Sequence, residues 1–210
     1  MACGTGRLAY GLIREGADFT GIELSSEFSN FARNKLKDIG SPPNILTGDM
    51  CCFHLDKKFD LIFIGFNSFL HLLTDEEAFA FLGCVKEHMH KKSRLLIDIF
   101  TPNPLFLYRP EGVRLNVLEF TDSYTGEKVI VDECNKYNVE TEINQLTWYF
   151  STMKKKDFAK EFFSMRMYFP SQMNQLLTDC GFRILNQWGD YHRTPLGEGS
   201  KLQIYDVCLL

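Results

Sequence analysis

Strand-like and helix-like segments alternate over the first hundred residues, and this alternation restricts the fold more than any other feature of the sequence. Short apolar runs at residues 19–24, 44–47, 59–65 and 94–100 have the length and composition of buried strands. Amphipathic segments separate most of them. Strands that alternate with helices are typical of a parallel sheet with helices on both faces. The sequence therefore predicts an α/β protein with a doubly wound sheet.

The helical segments carry start and stop signals. Helices are predicted over residues 7–16, 25–37 and 75–90. Ser25 or Ser26 is a suitable N-cap for the second helix, because a serine hydroxyl accepts a hydrogen bond from a free backbone N–H group. The Gly-Ser-Pro-Pro sequence at residues 40–43 predicts the break after that helix.

The alternation stops after Pro102, where strand-like segments follow one another without helices between them. These segments cover residues 113–120, 128–137, 142–151 and 158–168. Consecutive strands of this kind form an antiparallel sheet. The first pattern then resumes with a helix and two strands, at residues 170–180, 182–188 and 202–209. We predict one domain made of residues 1–104 and 170–210, with a small antiparallel sheet, residues 105–169, inserted into it.

Composition excludes several classes of protein. Hydrophobic residues make up 45% of the chain and the formal net charge is −4, which excludes a disordered chain and disfavours a nucleic-acid surface based on positive charge. The longest apolar stretch, around residues 61–73, is interrupted by polar side chains and is shorter than a membrane span of roughly 20 residues. The seven scattered cysteines favour free thiols in a reducing cytoplasm, and their spacing predicts no metal site.

Small and polar residues follow the predicted strands, at the edge where open α/β sheets bind ligands. The Gly4-Thr5-Gly6 turn leads into the first helix, whose N-terminus favours negative charge. Glu23 ends the next strand, where a carboxylate can accept hydrogen bonds from both hydroxyls of a ribose. Asp49 can accept a hydrogen bond from an exocyclic amine, and Met50 can cover a flat base. Residues 66–68 border the same crevice.

The order and spacing of these motifs resemble those of class I S-adenosyl-L-methionine (SAM)-dependent methyltransferases. The motifs that carry the resemblance are Ala2-Cys3-Gly4-Thr5-Gly6-Arg7, Gly21-Ile22-Glu23-Leu24-Ser25, Gly48-Asp49-Met50, Phe59-Asp60-Leu61-Ile62 and Leu96-Ile97-Asp98-Ile99-Phe100. Three C-terminal segments also fit: Tyr168-Phe169-Pro170, Cys180-Gly181-Phe182 and Gly189-Asp190-Tyr191. The inserted sheet is similar, more loosely, to the branch that contains aminosugar N-methyltransferases. The resemblance implies a Rossmann-like fold, SAM as the cofactor and methyl transfer to a small-molecule amine or hydroxyl.

The resemblance also implies which residues bind the cofactor. They are Cys3, Gly4, Gly6, Glu23, Leu24, Asp49, Met50 and Phe66. The methionine portion would lie against Gly4 and Gly6, the ribose hydroxyls on Glu23, the adenine amine on Asp49 and the sulfonium near Phe66. Leu24 and Met50 would flank the adenine ring.

Other residues are candidates for the reacting side of the site. The resemblance implies that Asn67 lies near the transferring methyl group. His71 follows the same crevice and is a candidate proton acceptor, with a packing or capping role as the alternative. The candidate substrate residues are Tyr108, Arg109, Arg166, Tyr168 and Tyr191. Ordinary packing on a sheet face is the alternative for each of them.

The sequence departs from the family pattern at its start. Family members have a buried strand immediately before the glycine loop, in the middle of the sheet, whereas this sequence begins inside that loop. We therefore expect a Rossmann-like sheet that lacks its first strand, and hypothesise that Met1 is an internal methionine of a longer protein. The unpaired backbone groups of the flanking strands would each cost about 1 to 3 kcal/mol.

Two other functions stay open. A nicotinamide dinucleotide-dependent oxidoreductase would tolerate Ala9 at the third position of its glycine fingerprint, but it leaves Asp49 and Asn67 without a role. A non-catalytic methyltransferase-like domain that binds a partner or dimerises is motivated by the missing strand and the sheet edge it exposes. The expected partners are a small-molecule substrate and a second copy of the chain, paired through the inserted sheet. No nucleic acid and no membrane is expected as a partner.

Overall fold

A computed structural model describes residues 1–39 and 44–210, so the helix break predicted at residues 40–43 lies outside the described residues. The chain divides into two compact units. The first unit consists of Met1–Phe69, Thr74–Thr101 and Pro170–Leu210, and the second of Leu70–Leu73 and Pro102–Phe169. The second unit thus contains the inserted segment and also a short stretch that precedes it by about thirty residues in the chain.

The described helices and strands follow in chain order. They are α1 (Arg7–Arg14), β1 (Thr20–Glu23), α2 (Ser26–Leu36), β2 (Asn44–Thr47), β3 (Phe59–Ile64), a 3-10 turn (Ser68–His71), α3 (Asp75–Glu87), β4 (Met89–Phe100), α4 (Pro104–Leu107), β5 (Leu115–Thr121), β6 (Lys128–Asn138), β7 (Ile143–Thr152), β8 (Ala159–Arg166), α5 (Pro170–Asp179), β9 (Phe182–Trp188) and β10 (Leu202–Leu209). No helix among the described residues is long and apolar enough to cross a membrane.

The end of α3 differs from the sequence prediction, which continued this helix to His90. The helix ends at Glu87, and β4 begins at Met89, because Met89 pairs with Phe59 of β3. His88 occupies the junction: its Nδ1 lies 2.6 Å from the carbonyl of Cys84, and its Nε2 accepts a hydrogen bond of 2.8 Å from the backbone of Leu55. Long-range pairing therefore overrides the helical pattern at this junction. The short helix α4 was not predicted.

Two separate sheets form the first unit. Strands β1 and β2 pair in parallel, while the other strands form a mixed sheet in the order β3-β4-β10-β9. Strand β3 runs parallel to β4, and β10 is antiparallel to both of its neighbours. Across the described residues no strand joins β1 to β3. The prediction of a Rossmann-like sheet without its first strand, with an added antiparallel sheet, is confirmed.

The first three residues lie between β1 and β3 and bond to both strands. The amine of Met1 donates a hydrogen bond of 2.8 Å to the carbonyl of Phe63, and the backbone N–H of Cys3 donates one of 3.0 Å to Ile22. A cavity of about 310 Å³, lined by apolar side chains of both strands, continues from this point. Leu61 of β3 lines it and is 46% exposed. A side chain in a strand predicted to be buried is therefore open to solvent where a neighbouring strand is lacking.

The second unit is one antiparallel sheet in the order β5-β6-β7-β8. Apolar side chains such as Val131 and Leu146 fill one buried part of it. The buried carboxylate of Glu133 accepts hydrogen bonds from Arg109 at 3.0 Å and from the indole N–H of Trp148 at 2.8 Å. The carboxylate of Glu133 thus finds both of these partners within its own unit. By contrast, every residue of the edge strand β5 is exposed.

Candidate cofactor site

The glycine loop has an alternating left-handed backbone. Ala2, Gly4 and Gly6 have φ values of 47°, 53° and 74°. The N–H of Gly6 donates a hydrogen bond of 3.0 Å to the carbonyl of Cys3, which closes the turn before α1. A Cβ atom on Gly6 would lie 2.7 Å from Leu36 Cδ1, whereas one on Gly4 would meet no atom within 4 Å. Gly6 is thus required for packing α1 against α2, and Gly4 faces open space.

This difference predicts unequal effects of two alanine substitutions. Both residues would carry a side chain at positive φ, which costs about 1 kcal/mol. Gly6→Ala adds overpacking against Leu36, worth about 1 to 3 kcal/mol. Urea unfolding should therefore show a loss of roughly 2 to 4 kcal/mol for Gly6→Ala and about 1 kcal/mol for Gly4→Ala. Equal losses would contradict the packing role of Gly6.

Glu23 joins the end of β1 to the glycine loop. Its side chain is buried, and its two oxygens accept hydrogen bonds of 2.8 Å from the N–H of Gly4 and 3.0 Å from the N–H of Ser25. Each carboxylate oxygen can accept a further hydrogen bond, so the group keeps acceptor capacity for a ligand. Ser25 caps α2 by accepting a bond of 3.2 Å from Phe28, as the sequence predicts. Leu24 lies beside Glu23 and is 72% exposed.

The segment after β2 is held next to Glu23. The N–H of Gly48 donates a hydrogen bond of 2.9 Å to the carbonyl of Glu23. Asp49 is exposed, and its carboxylate accepts a bond of 2.8 Å from the N–H of Cys51, while Met50 is half-buried. Burial, together with the charge of Asp49, raises the pKa of the Cys51 thiol to about 12. This cysteine is therefore not a nucleophile at neutral pH.

The turn after β3 holds two non-glycine residues in the left-handed region. Phe66 and Asn67 have φ values of 54° and 63°. The N–H of Asn67 donates a bond of 3.2 Å to the carbonyl of Asp98, and its side-chain oxygen accepts one of 2.7 Å from the N–H of Phe100. These bonds to β4 hold a backbone conformation that costs energy, which is typical of functional sites. Phe66 is 54% exposed, and the guanidinium of Arg7 lies 4.0 Å from its ring centroid.

A cavity of about 250 Å³ lies between the glycine loop and this turn. Of the predicted cofactor residues, it brings together Cys3, Gly4 and Phe66. Glu23 is absent from its lining but is bonded to Gly4 at its edge. An open surface at Gly4, an acceptor carboxylate and an exposed aromatic ring suit a ligand that has an amino-acid end and a ribose. The residues present therefore fit the cofactor that the resemblance implies. Among the described residues, no cluster of three metal-binding side chains occurs.

The predicted substrate residues of the second unit are mostly bound to their own unit. Arg109 is buried against Glu133, and the hydroxyl of Tyr168 donates a bond of 3.0 Å to the carbonyl of Leu72. Arg166 lies 3.7 Å from the carboxylate of Glu142. These three residues therefore have structural partners, which matches the alternative considered for each.

Three predicted residues remain accessible. Tyr108 is exposed and its ring packs edge-on against Tyr137 at 5.5 Å, while the exposed His71 lies 6.4 Å from the ring of Phe163. Tyr191 belongs to the first unit, and its hydroxyl donates a bond of 2.5 Å to Asp98. Asp98 has no predicted role from the sequence, although an acidic residue in an otherwise apolar strand was a usable signal.

Comparison with known proteins identifies the class. Residues 1–92 match the family model described as a methyltransferase domain. The chain is also 32% identical over 98 residues to the dTDP-3-amino-3,4,6-trideoxy-α-D-glucopyranose N,N-dimethyltransferase of Streptomyces venezuelae, an alignment that covers 47% of this chain and 40% of that protein. Residues 1–92 are therefore similar to the methyltransferase-domain family, and the predicted resemblance to SAM-dependent methyltransferases is confirmed.

Solved structures show the same fold along almost the whole chain. A SAM-dependent methyltransferase from Clostridium acetobutylicum is 19% identical, with a TM-score of 0.83 over 99% of this chain and 81% of that chain. SAM-bound CalS10, an amino pentose methyltransferase from Micromonospora echinaspora, is 15% identical with a TM-score of 0.72 over 100% and 81%. These matches show that the fold is that of SAM-dependent methyltransferases, and together with the methyltransferase-domain match of residues 1–92 they support an enzyme that uses SAM. The nicotinamide alternative is set aside.

Proposed function

We propose that this protein transfers a methyl group from SAM to a small-molecule amine or hydroxyl. The observation that carries the proposal is the bond between Glu23 and the N–H of Gly4, which fixes an acceptor carboxylate at the edge of the glycine loop. When bound, SAM supplies an activated methyl group on a sulfonium. The protein then has to align and desolvate the reacting atoms, which requires positioned side chains rather than a covalent intermediate.

Each strand end has a proposed part in holding the cofactor. Glu23 accepts hydrogen bonds from the ribose hydroxyls with the lone pairs that the loop does not use. Asp49, whose carboxylate is exposed, accepts one from the adenine amine. The exposed side chain of Leu24 and the half-buried side chain of Met50 cover the two faces of the adenine ring, and Gly4 leaves room for the methionine portion.

Replacement of Glu23 tests the proposal directly. Glu23→Gln keeps the shape of the side chain but removes the charge that binds both N–H groups and the ribose. We expect the affinity for S-adenosylhomocysteine, measured by isothermal titration calorimetry, to fall at least tenfold, because hydrogen bonds to a charged acceptor contribute about 1.5 to 3 kcal/mol. Glu27→Gln on the exposed first turn of α2 is the matched control and should bind as the wild type does. Wild-type protein that binds no cofactor would reject the function.

An amine is the favoured acceptor. The relative from Streptomyces venezuelae is an N,N-dimethyltransferase of an aminosugar, and CalS10 is an amino pentose methyltransferase. An amine must lose a proton around methyl transfer, and the exposed His71 is the proposed proton acceptor, with Asn67 near the transferring methyl group. The inserted sheet, residues 105–169, is proposed to carry the substrate side, with Tyr108 as its accessible aromatic residue.

The exposed edge strand also supports a proposed homodimer. Four apolar side chains of β5, those of Leu115, Val117, Leu118 and Phe120, are each about 40% exposed, and β5 pairs only with β6 in the described part of the chain. Apolar side chains on an unpaired edge favour pairing with another strand. The odd number of scattered cysteines supports a location in the cytoplasm.

A charge on β5 should separate the dimer. Val117→Lys is expected to convert a particle of twice 24.3 kDa into a monomer, because pairing of two edges would place two lysines close together. Light scattering coupled to size-exclusion chromatography measures the mass. Leu105→Lys, at another exposed apolar site of the same unit, is the control and should leave the dimer intact. A monomeric wild-type protein would rule out this partner.

A further inference from the structure

Asp98 and Tyr191 form a pair that the proposed function has not used. Asp98 lies near the end of β4, and its Oδ2 accepts the 2.5 Å hydrogen bond from the hydroxyl of Tyr191. Tyr191 lies in the loop between β9 and β10. Within that loop, Asp190 accepts bonds of 2.9 Å and 3.1 Å from the backbone of His192 and Thr194. These hydrogen bonds stabilise the loop, which holds the hydroxyl of the exposed Tyr191 against the carboxylate of Asp98.

The hydroxyl of Tyr191 stays protonated at physiological pH. Burial of the hydroxyl and its bond to Asp98 raise the pKa of Tyr191 to about 12. It therefore remains a hydrogen-bond donor to the carboxylate of Asp98.

The carboxylate of Asp98 lies beside the turn that borders the candidate cofactor cavity. Its Oδ2 is 3.5 Å from the N–H nitrogen of Phe66 and would lie 3.7 Å from a Cβ atom on Gly65. Both of these residues line the 250 Å³ cavity. The carbonyl of Asp98 also holds Asn67, as described above. The opposite charge, the guanidinium of Arg7, lies over the ring of Phe66. Charges of both signs therefore flank Phe66.

We propose that Asp98, held by Tyr191 as a positioning residue, makes this site prefer the cationic sulfonium of SAM over the neutral thioether of S-adenosylhomocysteine. The inference rests on the proposed function and on the assignment of Phe66 to the sulfonium. Methyl transfer removes one positive charge from the cofactor. A carboxylate close to the sulfonium attracts SAM electrostatically. It does not attract the neutral S-adenosylhomocysteine in this way, which favours release of S-adenosylhomocysteine after the reaction.

The test compares cationic and neutral ligands. Affinities for SAM, for sinefungin, which carries an ammonium group in place of the sulfonium, and for S-adenosylhomocysteine are measured by calorimetry. Asp98→Asn is expected to lower the affinity for the two cationic ligands about five- to tenfold more than that for S-adenosylhomocysteine. The charge of Arg7 is then uncompensated, which acts in the same direction. The quantity to compare is the ratio of the affinity for a cationic ligand to the affinity for S-adenosylhomocysteine. Asp56→Asn, which changes an exposed aspartate, is the matched control and should leave this ratio unchanged.

Tyr191→Phe provides a second test that does not depend on the folding of the first variant. It should move the same ratio in the same direction by a smaller factor. In the double variant, Tyr191→Phe should change the ratio no further than Asp98→Asn alone does, because Tyr191 acts through Asp98. A ratio that stays at the wild-type value in either folded variant overturns the inference. If wild-type protein binds SAM and S-adenosylhomocysteine while the ratio does not move, only this inference fails. If it binds neither, the proposed function fails as well.

Discussion

The buried carboxylate of Glu23 is the interaction on which the candidate site depends. It ends β1, binds the N–H groups of Gly4 and Ser25, and so holds the glycine loop and the start of α2 at one strand end. The carbonyl of the same residue binds Gly48 and adds the segment after β2. One residue thus ties together three segments whose side chains are proposed to hold SAM. A buried charge of this kind is tolerated because hydrogen bonds satisfy it.

The second constraint is the separation of β1 from β3. Only the bonds of Met1 and Cys3 cross between these strands in the described residues, and a cavity of about 310 Å³ takes the rest of the space. The glycine loop is nevertheless held from both sides, because Cys3 bonds to β1 and Met1 to β3.

Much of the fold and part of the site could be predicted from the sequence. The strands at 182–188 and 202–209 match β9 and β10, because a glycine or a glycine-containing turn precedes each of these short runs and marks where the strand can begin. The predicted end of α3 was wrong, because the strand that follows it is fixed by the pairing of Met89 with Phe59, a contact between residues thirty positions apart. The sequence alone could not decide the roles of Arg109 and Tyr168. An arginine or a tyrosine looks the same in the sequence whether its side chain faces a ligand or bonds to a partner inside its own unit, as these two do.

The sequence by itself determined the resemblance to SAM-dependent methyltransferases, because glycines and acids at successive strand ends are a local pattern that can be read without coordinates. The tertiary structure alone decided how those residues are used. It showed that Gly6 serves the packing of α1 on α2 while Gly4 faces a cavity. It also brought Asp98 to Tyr191 across 93 positions of the chain. Such pairs depend on strand order and register, which arise from long-range packing and leave no trace in the spacing of the residues.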